Sequence, residues 1–382
     1  MSTKTVEQEG REMSENEIRL AVIGCGGFAL FALQQFVQVP GVRLVAMAGT
    51  HREAAIVAAK RFGVEDIEEV DALLARPDVD LVYIATPPFL HYEQALRALM
   101  AGKHVICEKP LAMSVAQADE LVATARQRNL LLVANMMQRY SPLFDAVKAL
   151  IDEGVLGEIV HGYFENYAAD EGLSPEHWFW DRTKSGGIFI EHGVHFFDLF
   201  AGWLGAGEVV AAQATARPGS GVEDQVQATV RYPSGALVNF YHGFHQPGRL
   251  DRQELRLVFE RGDVTLHEWI PTRFRIHAVA NEEQTRRLCE LFPGGRLNAT
   301  EVYGGRQREC RGRFKDFDAY QLLELSGGDE QAKQHRYGDL LRALLADQVA
   351  WIRDPRHRRR LTEQNGRESV ALAERADRLA HG

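Results

Sequence analysis

The hydrophobic positions of this chain change their spacing along its length, and the change divides it in two. Between Ile18 and Asn135, short apolar runs (IRLAVI, VRLVAMA, VDLVYIA, KHVIC, LLLVAN) read as buried strands. Between them, apolar residues recur at helical spacing over 28–37, 51–62, 67–75, 90–101 and 114–128, with Gly102 as a C-cap and Ser114 as an N-cap. Strands alternating with helices predict a parallel sheet with right-handed crossovers, ending near Tyr140. Pro142 then starts a helix that runs to about Glu153.

From Gly157 the period shortens. EIVHGYFENY, EVVAAQATA, DQVQATVRY, ALVNFYHGF, LRLVFE and VTLHEW alternate in part and are separated by turns such as Tyr232-Pro233-Ser234-Gly235. They predict a large, mainly antiparallel sheet. Residues 271–333 are irregular and yield no element, and helices return over 337–351 and 366–380. The expected organisation is a flexible tail (1–17), a dinucleotide-binding α/β domain (18–140) and an α+β substrate-binding and oligomerisation domain (141–382). The last helices are expected to pack back on the first domain.

The first strand runs straight into Gly24, Gly26 and Gly27, and a helix follows at Phe28. Three glycines alone make only a tight turn. Strand, glycine turn and helix in this order instead fit a loop that cradles a pyrophosphate at a helix N-terminus. Ala29 takes the third position of the fingerprint, where alanine is tolerated. The second strand ends in Ala48-Gly49-Thr50-His51-Arg52, with no acid to meet a ribose hydroxyl pair. Thr50, His51 and Arg52 are donors suited to a 2′-phosphate, so NADP is expected in preference to NAD.

Composition narrows the classes. The net charge of −9 argues against a nucleic-acid surface, and the one basic run, Arg356 to Arg360, reads as a solvated connection. The four cysteines lack metal or redox spacing, the first 17 residues lack a leader's apolar core, and no run reaches membrane-spanning length. A cytoplasmic protein with reduced thiols, no membrane partner and no metal is expected.

Several segments together resemble the Gfo/Idh/MocA oxidoreductases, the glucose–fructose oxidoreductases, inositol dehydrogenases and their relatives. GCGGFA resembles their cofactor loop, and Ala85-Thr86-Pro87 with His91 and Ala95 their ATPN-x-x-H-x-x-x-A segment. AGKHVICEKPLA matches the Glu-Lys-Pro run, and Arg139-Tyr140-Ser141-Pro142 the R-F/Y-x-P step. SGGIFIEHGVHFFDLFAGWLG is similar to GGG-x-x-x-D-x-G-x-H-x-x-D. Two departures stand out: Pro88 replaces the asparagine after Thr-Pro, and Glu191 replaces an aspartate.

The resemblance implies a Rossmann domain binding the cofactor through Gly24, Gly26, Gly27, Phe28, Thr86, Pro87, His91, Glu108 and Lys109, and a cis bond at Pro110. Lys109 lies just beyond a parallel strand's carboxyl end, where open α/β sheets bind ligands, and would hold a substrate oxygen. Glu191 and His195, at i and i+4, are expected on one helix face, with His195 as general acid/base and Glu191 orienting it. Arg139, Tyr167, Trp178, Trp180 and His192 are candidates for substrate contact, and Asp198 for packing. The implied activity is hydride transfer between a nicotinamide and a secondary alcohol or carbonyl of a sugar, polyol or related small molecule, by a homodimer or homotetramer. A redox-neutral NAD-dependent glycosidase and a non-catalytic cofactor-binding regulator are the rival readings.

Overall fold

The computed structural model describes residues 17–49, 52–66, 69–169, 172–174, 176–219, 221–312, 315–329 and 332–382. The chain opens with β1 (Ile18–Ile23), α1 (Gly27–Phe36), β2 (Val42–Ala48), α2 (Arg52–Phe62), β3 (Glu65–Asp66) and α3 (Val70–Leu74). It continues with β4 (Leu81–Ile84), α4 (Pro88–Met100), β5 (His104–Cys107), α5 (Val115–Gln127) and β6 (Leu132–Ala134). The six strands pair in parallel in the order β3-β2-β1-β4-β5-β6. Helices on both faces explain why these strands are continuous apolar runs: all four residues of β4 are buried. Ser114 caps α5 by accepting from the Gln117 amide, as its position predicted.

After α6 (Pro142–Asp152) come β7 (Ile159–Ala168), α7 (Arg182–Ser185), α8 (Val194–Leu204), β8 (Glu208–Thr215), β9 (Gln225–Arg231) and β10 (Leu237–Phe244). β11 (Arg252–Phe259), β12 (Gly262–His267), β13 (Arg273–Ala280), α9 (Glu282–Leu291), β14 (Arg296–Val302), β15 (Glu309–Arg311), β16 (Asp316–Asp318) and β17 (Gln321–Gly328) follow. Nine of these strands form one sheet, β14-β17-β13-β12-β11-β7-β10-β9-β8, antiparallel except between β7 and β10. Its inner face is packed by α8, with Phe196 stacked on Phe164 and both Phe197 and Phe200 against Phe240.

The stretch without an expected element, 271–333, completes the edge of this sheet. β14 is exposed at every residue, so no burial pattern marks it in the sequence. α9 did carry a legible mark: Asn281 and Gln284 form a capping box. The chain ends in α10 (Lys333–Arg353) and α11 (Glu363–His381), which pack against the first domain. Tyr337 lies on Phe28 and Phe31, and Arg367 pairs with Asp119 at 2.7 Å.

Candidate functional site

The carboxyl ends of the parallel strands face the inner side of the large sheet, and a cavity of about 990 Å³ lies between them. At one end is the glycine loop. Gly24 adopts φ 111°, and a Cβ there would stand 2.3 Å from the Ala85 carbonyl oxygen, so only glycine allows the ends of β1 and β4 to approach this closely. Positions Gly26 and Gly27 meet nothing within 4 Å, and α1 begins at Gly27 with no side chain on its first amides. Open space above free N–H groups is the cradle a pyrophosphate requires, so the fit to a dinucleotide is good. Phe28 lines the cavity beside them. Thr50 and His51 lie outside the described residues. Arg52 opens α2, and its side chain is likewise outside what is described.

Thr86, Pro87, Glu108 and Lys109 line the next part of the cavity, and the Lys109–Pro110 peptide is cis. His91 does not join them. Its ring is buried, with Nδ1 2.7 Å from the Pro110 carbonyl and Nε2 2.7 Å from the Thr86 carbonyl, so it ties the β4 and β5 loops together instead of facing a cofactor. Burial lowers its pKa, against the pull of the two carbonyls. Glu108 is buried too, which pushes its carboxyl up, while Asn135 and Tyr83 both donate to its Oε1.

The largest revision concerns Glu191. Residues Phe189–Gly193 form a π-helical turn before α8, and the wider winding turns Glu191 away from the expected pairing. Its carboxylate Oε1 accepts from Lys109 Nζ at 2.6 Å and its backbone carbonyl accepts from the same nitrogen at 2.9 Å. No hydrogen bond joins it to the His195 ring among the described residues. His195 instead packs edge-on against Trp269, with ring centroids 4.6 Å apart. Burial, with Lys109's charge behind it, holds the His195 pKa well below the ordinary histidine range. The Lys109 ammonium and the neutral His195 imidazole therefore line the same cavity.

Of the substrate candidates, Trp178 and His192 line the cavity. His192 Nδ1 lies 3.0 Å from His242 Nδ1, and burial keeps both rings neutral, that of His242 down to about 3. Trp180 turns onto Phe179 and Phe244. Tyr167 is excluded by strand alternation: Asn166 and Ala168 face the cavity, and Tyr167 points to the opposite side, under Arg252 and beside Tyr241.

Arg139 is not a substrate residue either. It forms a two-pronged ion pair with the buried Asp198, at 2.8 and 2.9 Å, binding the β6 exit to α8. Arg139→Leu would strand that carboxylate and is expected to cost about 3–5 kcal/mol of stability in urea unfolding. A loss under about 1 kcal/mol would deny the pair this anchoring role.

Among the cavity residues that escaped the sequence reading are Asn135, Asn166, Trp269, Lys333 and Tyr337. Asn135 could have been found, since it follows a parallel strand's carboxyl end. Asn166 is fully buried with its Nδ2 unpartnered, and Gln253 donates to its Oδ1 at 2.8 Å. Trp269 follows Glu268, whose backbone takes φ 80°, an unusual conformation for a residue with a Cβ. Arg273 and Lys333 hold the Glu268 carboxylate, each at 3.2 Å. No local pattern announces that turn.

A doubly wound parallel sheet with a glycine cradle at its switch point, facing a second sheet across a cleft, defines a two-domain dinucleotide-binding protein. Residues 18–136 match the family model of oxidoreductases with an NAD-binding Rossmann fold, and 144–265 match the GFO/IDH/MocA C-terminal domain. The chain belongs to the GFO/IDH/MocA oxidoreductase family. It is 39% identical over 195 residues to a dTDP-3,4-didehydro-2,6-dideoxy-alpha-D-glucose 3-reductase of Actinomadura kijaniata, an alignment covering 50% of this chain and 57% of that one. It is 34% identical to a 1,5-anhydro-D-fructose reductase of Ensifer adhaerens, over 59% of this chain and 69% of that one. The WlbA dehydrogenase of Bordetella pertussis, solved with NADH and UDP-GlcNAcA, superposes with a TM-score of 0.75 over 97% of each chain. At 20% identity this likeness speaks for the fold alone.

Proposed function

We propose that this protein is an NADP(H)-dependent oxidoreductase acting on a secondary alcohol or carbonyl of a sugar, polyol or related small molecule. One observation carries the reading: a single cavity runs from the open glycine cradle to the Lys109 ammonium and the buried, neutral His195. The nicotinamide, when bound, gives or takes the hydride. Lys109 holds the reacting oxygen. Glu191 takes two of its three N–H donors, through carboxylate and carbonyl, and so aims the third at the substrate. The longer acid in place of aspartate thus serves the lysine. His195, neutral at rest, accepts the alcohol's proton in oxidation and returns it in reduction. Trp178 and Trp269 offer flat apolar walls to a sugar ring, and the two sugar reductases among the relatives support that substrate class.

A panel of sugars, cyclic polyols and their keto forms, tested with NADP(H) and NAD(H) by nicotinamide absorbance, checks the reading. Net cofactor turnover with at least one compound is expected. Glycoside cleavage without net absorbance change would replace it with the redox-neutral alternative.

The cofactor preference has its own test at Gly49. An aspartate there would oppose a 2′-phosphate, yet any Cβ would meet Cys25 Sγ and Ala55 Cβ at 3.0 Å. Gly49→Ala therefore measures the packing cost, and Gly49→Asp is expected to shift preference towards NAD by about tenfold beyond it. An equal shift in both variants would remove the NADP argument.

A further inference from the structure

A polar rung crosses the inner face of the second sheet. His242 on β10, Asn166 on β7 and Gln253 on β11 stand side by side in register, and the next rung of that face is the buried trio Phe240, Phe164 and Leu255. Polar groups set into an apolar floor need partners, since each one left unmet costs on the order of 1–3 kcal/mol. Asn166 Nδ2 and His242 Nε2 are buried with no hydrogen-bond partner among the described residues. A carboxylate settles the amide orientations. Gln253 Nε2 donates to Asp251 Oδ1 at 2.9 Å and to Asn166 Oδ1 at 2.8 Å, so the end of Asn166 left over is its NH₂ donor. Asn166, Gln253 and Asp251 all line the cavity.

His192 joins this rung from the helix side. Its Nδ1 lies 3.0 Å from His242 Nδ1, and both rings are neutral, so one nitrogen donates, the other accepts, and His192 is held to one tautomer. Its Nε2 takes no hydrogen bond among the described residues, and the ring lines the cavity. His192 stands one turn before His195, and both rings pack on Trp269, with centroids 5.7 and 4.6 Å from it. Side chains three residues apart on a helix start about 5–6 Å from each other, a separation that suits two oxygens on neighbouring carbons, each met by its own ring.

We propose that His192 and Asn166 bind the hydroxyl on a carbon next to the reacting one, so that the substrate is a vicinal diol in oxidation and an α-hydroxy ketone in reduction. The inference rests on the oxidoreductase reading above. It makes His192 a specificity-determining residue and His242 its positioning residue. A hydroxyl answers both demands: it accepts from the Asn166 NH₂ and keeps a proton and a lone pair for whichever tautomer His192 holds. With one oxygen at Lys109 and His195 and the next at His192, the substrate cannot slide by one carbon, which fixes the carbon that reacts.

The test compares kcat/KM, by nicotinamide absorbance, for the panel compound turned over best and for its two monodeoxy forms, each lacking the hydroxyl on one side of the reacting carbon. The wild type is expected to lose about tenfold or more with one of the two. In His192→Phe, which keeps a ring on Trp269, that ratio is expected to fall to within about twofold of unity. His192→Leu should do the same and guards against a distortion peculiar to the new ring. His242→Phe should lower the ratio too, and ¹⁵N spectra of the histidine-labelled protein should show one His192 tautomer in the wild type and a mixture in that variant. A best substrate with no hydroxyl beside the reacting carbon, equal kcat/KM for all three forms in the wild type, or a ratio that survives both His192 substitutions would overturn the subsite. A His192 tautomer unchanged in His242→Phe would overturn the positioning role. Absence of turnover with every panel compound would instead overturn the oxidoreductase reading on which the subsite rests.

Discussion

Lys109→Ala is expected to lower turnover by about a hundredfold or more while NADPH affinity stays within a few-fold. Among the described residues two lysines line the cavity: Lys333, which pairs with Glu268, and Lys109, which stands with Glu191 and is the one proposed to hold the reacting oxygen. Stabilising developing oxygen charge in a partly dry site is worth several kcal/mol, because donors set in place beforehand need no reorganisation. The substitution also leaves Glu191, 10% exposed at its side chain, without its counter-ion. A drop in thermal midpoint is therefore expected alongside the rate loss. Lys109→Met with Glu191→Gln separates the two effects, because removing both charges should recover stability and leave turnover low. A double variant that regained turnover would show that the charge had no chemical role.

His195→Ala should reduce turnover by about 10²–10⁴-fold, the usual range for a lost general acid/base. His195→Phe, which keeps a ring against Trp269, should be as slow and so exclude a packing explanation. The pH profile gives the sharper test. The folded ring has its pKa lowered by burial and then by Lys109, so it is neutral throughout the ordinary histidine range. A neutral base works in alcohol oxidation, and the oxidative rate should hold as pH falls through about 6.5 and decline only below it. In carbonyl reduction the protonated ring is the donor, so that rate should rise as pH falls over the same interval. Profiles with opposite slopes in the two directions are expected for the wild type and flat ones for His195→Phe. An oxidative rate that fell already at neutral pH would exclude His195 as the base.

The alternation of strand and helix across the first domain was legible because both periods are local, and so were the glycine turn and the position of Lys109. The same holds for Ser114 as a cap. Partner choice was not legible. Glu191 stands four residues before His195, which suggested a pair, yet it is bound to a lysine 82 positions away. The π-helical turn that redirects it leaves no mark in the spacing. Arg139 and His91 carry polar side chains of the kind a pocket uses, and burial enlisted both to join segments instead.

Sequence alone therefore indicated the parallel first sheet, the mainly antiparallel second sheet and the glycine turn, and it singled out Lys109 and His195, both of which line the cavity, since each follows from neighbours along the chain. Tertiary structure alone decided which side chains reach the cavity, because that depends on sheet register and on contacts between residues far apart. Asn166 faces in and Tyr167 faces out by strand register alone. Asn135 is left with one unmet oxygen only once β5 and β6 lie side by side.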